Sequence, residues 1–257
     1  MDNFFSQKLL FPILFLFSLV VFLLHTTYTK TAIFADARFY YMTTRSIMKD
    51  SDIKFANEYK YFNMQPVYTN EDYVWNKYPP GVSFFWIPAF LIADGFSNLI
   101  AGISVPSGWI SVDTSGYGIV YQICVAASST LLGLFGLYFL YQLLRDYFSE
   151  KISVLTSFTL FAATNLFFYI AVEPINSHAA SFFVSSIFLY YFFKHEKDKY
   201  YYLTLGLLGG VAGLVRTQDA LILIVPAIRL LLNRKREFNK LISYFSQLTV
   251  GAFLSFL

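Results

Sequence analysis

Apolar stretches close to bilayer length recur along the whole chain, at 9–28, 80–101, 117–144, 152–172, 178–193, 200–215, 218–232 and 241–257. Crossing a bilayer as a helix takes ~20 mainly apolar residues. Charged clusters or Pro- and Gly-bearing turns separate the stretches. The pattern predicts an all-α integral membrane protein, a polytopic helical bundle. No linker and no short-period repeat interrupts it, so residues 1–257 form one membrane domain. The first run, Leu9 to Leu24, is longer than the roughly 7–15-residue core of a signal peptide. It is expected to remain as the first span. The chain stops at "GAFLSFL", within an apolar stretch, and reads as an N-terminal portion truncated at its C-terminus.

Loop charge gives the sidedness. Short loops rich in Lys and Arg stay cytoplasmic. Arg145 to Lys151, Lys194 to Lys199 and "RKREFNK", Arg234 to Lys240, qualify. Alternation then holds for every span from 117 onward and starts Tyr117 on the outer side. The first span, led by Lys8, also exits there. Residues 29–116 therefore begin and end outside, and the 80–101 run is expected to dip in and return rather than cross. Pro79, Pro80 and Pro88 interrupt it, and Asp94 and Asn98 make it a poor lipid-facing span. The alternative is an ordinary short crossing with an inverted charge bias downstream. The outcome is about seven crossings and a large first outer loop with interfacial helices. Within that loop 36–49 reads as an amphipathic helix with Phe39, Thr43 and Ile47 on one stripe.

Composition narrows the class. The chain is 56% hydrophobic and only 14% charged, too little charge to cover a soluble domain of 257 residues. The net charge of +3 sits in loops between spans and does not point to nucleic acid. A single cysteine, Cys124, excludes an internal disulfide and a cysteine-based metal site.

This topology gathers ionisable groups at one outer layer: Asp36, Glu173 with His178, and Arg216 with Asp219. Such groups at the ends of spans are costly and commonly functional. Each also has a structural use. Asp36 can cap the amphipathic helix, Glu173 can be a solvated turn residue, and His178 follows the natural caps Asn176 and Ser177. Arg216 interrupts an apolar run and either pairs with Asp219 or Glu173 or binds an anion. Tyr40, Tyr41 and Tyr78 can face a sugar or belong to an interfacial aromatic belt, and Trp86 is placed to anchor the 80–101 helix at the interface. An enzyme acting on a polyprenyl-phosphate sugar needs an outer carboxylate to take a hydroxyl proton and a fixed cation for the leaving phosphate. Asp36 and Arg216 suit these needs, and no nucleotide-binding glycine motif is required.

Five stretches in this order carry a family resemblance: "DARFYYMTTRSIMKDSDIKFANEY", "NKYPPGVSFFWIPAFLIA", "GYGIVYQICVAASSTLLGLFGLYFLYQLLRDYFS", "ATNLFFYIAVEPINSHAASFFVSSIFLYYFF" and "GLLGGVAGLVRTQDALILIVPAI". The chain resembles the membrane glycosyltransferases of the GT-C superfamily, in the bacterial and archaeal branch related to protein O-mannosyltransferases and aminoarabinose transferases. The resemblance implies that Asp36, at the start of the first outer loop, is the catalytic base or organises the acceptor. It implies that Arg216, with Lys77 as a second candidate, binds the lipid phosphate, and that Glu173 and His178 line the substrate site; Tyr40, Tyr78 and Asp219 are expected beside them from the aromatic pattern and the topology. The family commonly has two adjacent acids where this chain has Asp36 followed by Ala37. No cofactor is assigned, and a divalent metal is left open.

The expected function is inverting transfer of a sugar from a polyprenyl-phosphate donor to a glycan, lipid or protein acceptor. The localisation expected is the cytoplasmic (inner) membrane, with the active site facing the periplasm or exterior. The rivals are a transporter or flippase of lipid-linked sugars, which would place its polar site near the midplane of repeated halves, and a non-catalytic membrane protein that binds a lipid-linked glycan.

Overall fold

The computed structural model describes residues 7–69, 73–101, 113–232 and 238–256. Among them the secondary structure is helical apart from one isolated antiparallel bridge, Tyr68 to Val74. Helix α1 (Gln7–Thr29) is the first apolar run. It stops at Lys30, which adopts φ +65° while its amide donates to the Thr26 carbonyl at 2.8 Å. A left-handed residue there satisfies an otherwise orphaned end carbonyl.

The amphipathic helix predicted at 36–49 is present as α2 (Ala37–Arg45), which runs on into a π-helical turn at Ser46–Asp50. Its buried residues are Ala37, Tyr40, Tyr41, Met42, Thr43 and Thr44, so of the stripe Phe39, Thr43 and Ile47 only Thr43 is buried and the other two are half-buried. Tyr41 does not face a ligand, since its hydroxyl donates to the Gly116 carbonyl at 2.6 Å. A short α3 (Ala56–Tyr61) is locked to α2 by a buried charge pair. Arg45 Nη1 donates to Glu58 Oε1 at 2.8 Å and also reaches Asp50.

Helix α4 (Gly81–Ala101) begins directly after Pro79 and Pro80, where prolines cost no helical hydrogen bond. Pro88 lies inside it without ending it, so the expected interruption is absent. Asp94 is engaged within the protein, accepting from Lys49 Nζ at 2.7 Å and from the Tyr121 hydroxyl at 2.6 Å, while Asn98, which donates to Asp94, is exposed. The opposite face exposes Phe84, Leu91, Ile92, Phe96 and Leu99. Trp86 is no interfacial anchor. It is fully buried and its indole N–H donates to Ser129 Oγ at 2.7 Å.

Helices α1, α4, α6 and α8 pack against α5 (Ile119–Leu144). The predicted 152–172 run is two pieces, α6 (Glu150–Ala163) and α7 (Asn165–Phe167), the latter continuing as a π-helical turn at Phe168–Val172. They meet at a 71° bend. The bend is local chemistry: Thr164 is extended, and its hydroxyl caps α7 by accepting from the Leu166 amide at 3.2 Å. The turn then seats on α5, where Thr130 Oγ1 donates to the Ile170 carbonyl at 2.8 Å. Gly133 makes room for it, since a Cβ there would lie 2.5 Å from Ile170 Cγ1.

Helices α8 (Ser177–Lys194) and α9 (Tyr201–Val215) follow. Next come a 3-10 segment Thr217–Leu223, α10 (Ile224–Leu232) and α11 (Phe238–Leu254). Most of the basic stretch Arg234 to Lys240 lies outside the described residues.

Pairings along α5 fix the relative levels. α8 runs parallel to it, with Ala179 near Gly133 and Phe183 near Phe139. α9 returns antiparallel to α8, with Tyr201 against Phe192. α4 runs antiparallel to the first half of α5, from Trp86 at Ser129 to Asp94 at Tyr121. The start of α4 therefore meets the end of α9, where a Cβ on Gly81 would lie 2.3 Å from the Leu214 carbonyl carbon.

By length and composition three helices can cross a bilayer, over Lys8–Thr29, Gly81–Ala101 and Ile119–Leu144, or four if the bent pair at 150–172 is one span. The expectation of about seven crossings further needs α8, α9 and the later helices, which are shorter or less apolar.

Candidate functional site

The meeting point of α2, α4, α8 and α9 encloses a polar cavity of about 260 Å³. Asp36 enters from the residue before α2, directly after Ala35, which holds φ +40°. An alanine in that left-handed region is strained by roughly 1 kcal/mol or more. The Asp36 carboxylate does not cap α2. It pairs with Lys77 Nζ at 3.3 Å, and both groups are partly open to the cavity. Lys77 also lies 4.7 Å from the Tyr78 ring centroid and 4.9 Å from that of Phe39. Its ammonium is held above the ordinary lysine range, chiefly by its hydrogen bond to Tyr78 and further by Asp36. Tyr78 stacks on Tyr40 at 4.8 Å. Burial raises the pKa of both phenols, so they stay neutral donors. Asn76 fixes this wall: its side-chain amide donates to the Phe39 carbonyl and to Thr43 Oγ1, and its oxygen accepts from the Tyr78 amide.

The facing wall is the start of α8 and the residues after α9. Asn176 Oδ1 accepts from the Ser177 amide at 2.7 Å, capping α8. The helix thus presents its N-terminal, positive end to the cavity through Asn176, Ser177 and His178. Arg216 follows α9 in extended backbone. Its Nη1 donates to His178 Nδ1 at 2.9 Å. With the Gln218 amide oriented so that both groups are satisfied, Gln218 oxygen accepts from Arg216 Nε at 3.1 Å and Nη2 at 2.8 Å. Among the described residues no carboxylate pairs with Arg216. Asp219, one of the two partners the sequence offers, accepts from Ser181 Oγ at 2.5 Å instead.

Six of the eight residues expected at the site line this one cavity: Asp36, Tyr40, Lys77, Tyr78, His178 and Arg216. Two do not. Asp219 is turned toward Ser181, and Glu173 sits at the end of the π-helical turn with its amide on the Phe168 carbonyl. Reasoning from sequence missed Ser177, Thr217 and Gln218 as wall residues. In the sequence Ser177 reads only as a helix cap, and Thr217 and Gln218 follow Arg216 without any charge to mark them. A larger groove of about 490 Å³ between α1 and α5 is lined by apolar and aromatic side chains such as Phe11, Phe15 and Leu134 and offers no reactive group.

The donors present do not suit a divalent metal. Among the described residues no three His, Cys, Asp or Glu side chains gather. The group paired with Asp36 is an ammonium, and the next residue is Ala37. What the cavity offers is one carboxylate, two cations, a helix N-terminus and two phenols, a set fit to hold an anion beside a proton acceptor.

Comparison with known proteins adds one finding. A family model described as dolichyl-phosphate-mannose-protein mannosyltransferase matches residues 121–257, more than half of the chain. The matched part includes His178 and Arg216; Asp36, Tyr40, Lys77 and Tyr78 precede it. No curated protein and no solved structure matches the chain. The apolar helices and the family match agree on an integral membrane protein, and the chain belongs to the dolichyl-phosphate-mannose-protein mannosyltransferase family, membrane glycosyltransferases of the GT-C type.

Proposed function

We propose that the cavity is the active site of an inverting transferase that takes a sugar from a polyprenyl-phosphate donor. The observation that carries this is Arg216. It is a half-buried cation held, among the described residues, by uncharged partners, and it opens on the cavity that contains Asp36. The donor's phosphate occupies the Arg216 side, at the N-terminus of α8. The acceptor hydroxyl lies at Asp36. Asp36 takes the hydroxyl proton as that oxygen attacks the anomeric carbon. The bond from that carbon to the phosphate oxygen breaks, and polyprenyl phosphate leaves with its electron pair and an added negative charge. Arg216 stabilises that charge. Attack opposite the leaving group inverts the anomeric centre. Lys77 orients Asp36 and lends positive charge to the same space.

In this reading residues 29–116 form the outer loop of a single membrane domain. α2 and α4 line the site from the periplasmic or exterior face of the cytoplasmic membrane. The exposed apolar face of α4 rests on lipid. The acceptor is a glycan, a lipid or a protein.

Sugar transfer from labelled lipid-linked donor, measured in membranes bearing the full-length protein, tests this. A positioned base contributes roughly 10²–10⁴-fold and a fixed transition-state donor ~10²–10³-fold. Asp36→Asn and Arg216→Ala are each expected to cut turnover by at least ~10²-fold while the protein still inserts. Wild-type transfer in both variants would reject these assignments.

A further inference from the structure

We propose that His178 is the positioning residue of the anion site, a neutral imidazole that aims Arg216 through Nδ1 without cancelling its charge. The proposal rests on Arg216 as phosphate ligand, as argued above.

Arginine is always charged and has donors only. Its Nη1 lies 2.9 Å from His178 Nδ1, so Nδ1 must accept and carries no proton. The ring is then neutral, with its one proton on Nε2. Two other half-buried arginines are oriented by carboxylates, while a third, Arg38, lies over the Phe62 ring. Arg45 is held by Glu58 and Asp50, and Arg229 by Glu196. A carboxylate at Arg216 would compete with an incoming phosphate and repel it. Here the neighbouring acid, Asp219, is occupied by Ser181, and the ring nitrogen takes its place.

A second observation concerns the ring itself. Tyr169 stacks on His178 with centroids 3.7 Å apart and planes 16° from parallel. Tyr169 comes from the π-helical turn that follows the Thr164 bend. The bend therefore delivers the aromatic plate that fixes the imidazole, and the imidazole fixes the guanidinium. Nε2 has no hydrogen-bond partner among the described residues, and the positioning role runs through Nδ1 alone.

The two nitrogens can be tested separately, because an Asn amide oxygen replaces Nδ1 and a Gln amide nitrogen replaces Nε2. The measurement is binding of farnesyl monophosphate to the purified full-length protein in detergent. Relative to wild type, Arg216→Ala should weaken binding at least tenfold, and His178→Ala by about tenfold. His178→Asn should recover to within about threefold, and His178→Gln should not. The double variant His178→Ala with Arg216→Ala should bind no more weakly than Arg216→Ala alone. Should His178→Ala fail to fold, the Asn and Gln variants decide. Wild-type binding by His178→Ala, recovery by Gln rather than Asn, or additive losses in the double variant would each overturn the positioning role. If Arg216→Ala binds like wild type, the phosphate-ligand reading fails first, and this proposal with it. If Arg216→Ala loses binding and His178→Ala does not, only the proposal about His178 fails.

Discussion

At the scale of single residues, charge was more legible than neutrality. Asp36, Lys77 and Arg216 stand out in an apolar sequence because each needs a reason to be there, and all three reach one cavity. Ser177, Gln218 and Tyr169 carry no such mark. Their part in the site follows from which groups they touch, and a contact is not written in residue type, even at short range: Gln218 bonds Arg216 two positions away and Tyr169 stacks on His178 nine away. Trp86 shows the same limit from the other side. An indole near the end of an apolar run suits an interface as well as a core, and only its bond to Ser129 decides for the core. Trp86→Phe should therefore act through stability. Losing the indole donor leaves Ser129 Oγ unpaired in a fully buried place, at a cost of about 1–3 kcal/mol. The unfolding temperature in detergent is expected to drop, and double replacement with Ser129→Ala should recover part of the loss. An unchanged unfolding temperature for Trp86→Phe would mean that the bond adds nothing.

At the scale of elements, the apolar runs marked the helices closely, and the turns between them less so. The 71° bend at Thr164 was invisible because threonine and asparagine inside an apolar stretch are compatible with a continuous helix; the cap that makes them a break is a property of backbone angles. The continuity of α4 through Pro88 was missed for the opposite reason, since a proline's helix-breaking tendency is only a tendency. The junction of α4 with α9 is the element contact on which the cavity most depends, because Pro79 and Arg216 stand on its two sides. Gly81 sits against the backbone of Leu214 and Val215, where a Cβ would meet atoms at 2.3 to 2.5 Å. Backbone cannot rotate aside as a side chain can. Gly81→Ala should force the first turn of α4 away from α9, costing about 1–3 kcal/mol and reducing transfer at least tenfold. Gly95→Ala is the matched control in the same helix. A Cβ there meets nothing within 4 Å, and exchange of an interior helical glycine for alanine gains roughly 0.5–1 kcal/mol. Equal effects from the two changes would show that the junction is not tight.

At the scale of the whole molecule, the question is where α4 lies relative to the bilayer. Its 21 residues span about 31 Å, and the 15 of α9 about 22 Å, at 1.5 Å per residue. The two run in the same direction and meet end to end rather than side by side. Laid in line they exceed the ~30 Å hydrocarbon thickness, so α4 either leaves that slab or turns along its surface. If α8 and α9 cross, as the basic loops suggest, most of α4 lies at or beyond the outer boundary despite a composition apolar enough to span. Charge alternation leads to the same placement independently, because it requires the residues before and after α4 to share a side. Single-cysteine labelling on a Cys124→Ser background tests it. Lys60 precedes α4, Ser115 follows it and Ser149 lies between α5 and α6; all three are exposed. A membrane-impermeant maleimide applied from the non-cytoplasmic side should label Lys60→Cys and Ser115→Cys in intact cells or spheroplasts. It should reach Ser149→Cys only after permeabilisation. Labelling of Lys60→Cys and Ser115→Cys from opposite sides would make α4 a true crossing and reverse the orientation of either α1 or every helix from α5 onward. Asp36 and Arg216 would still share their cavity, but the donor's lipid chain would have to reach it from a different leaflet.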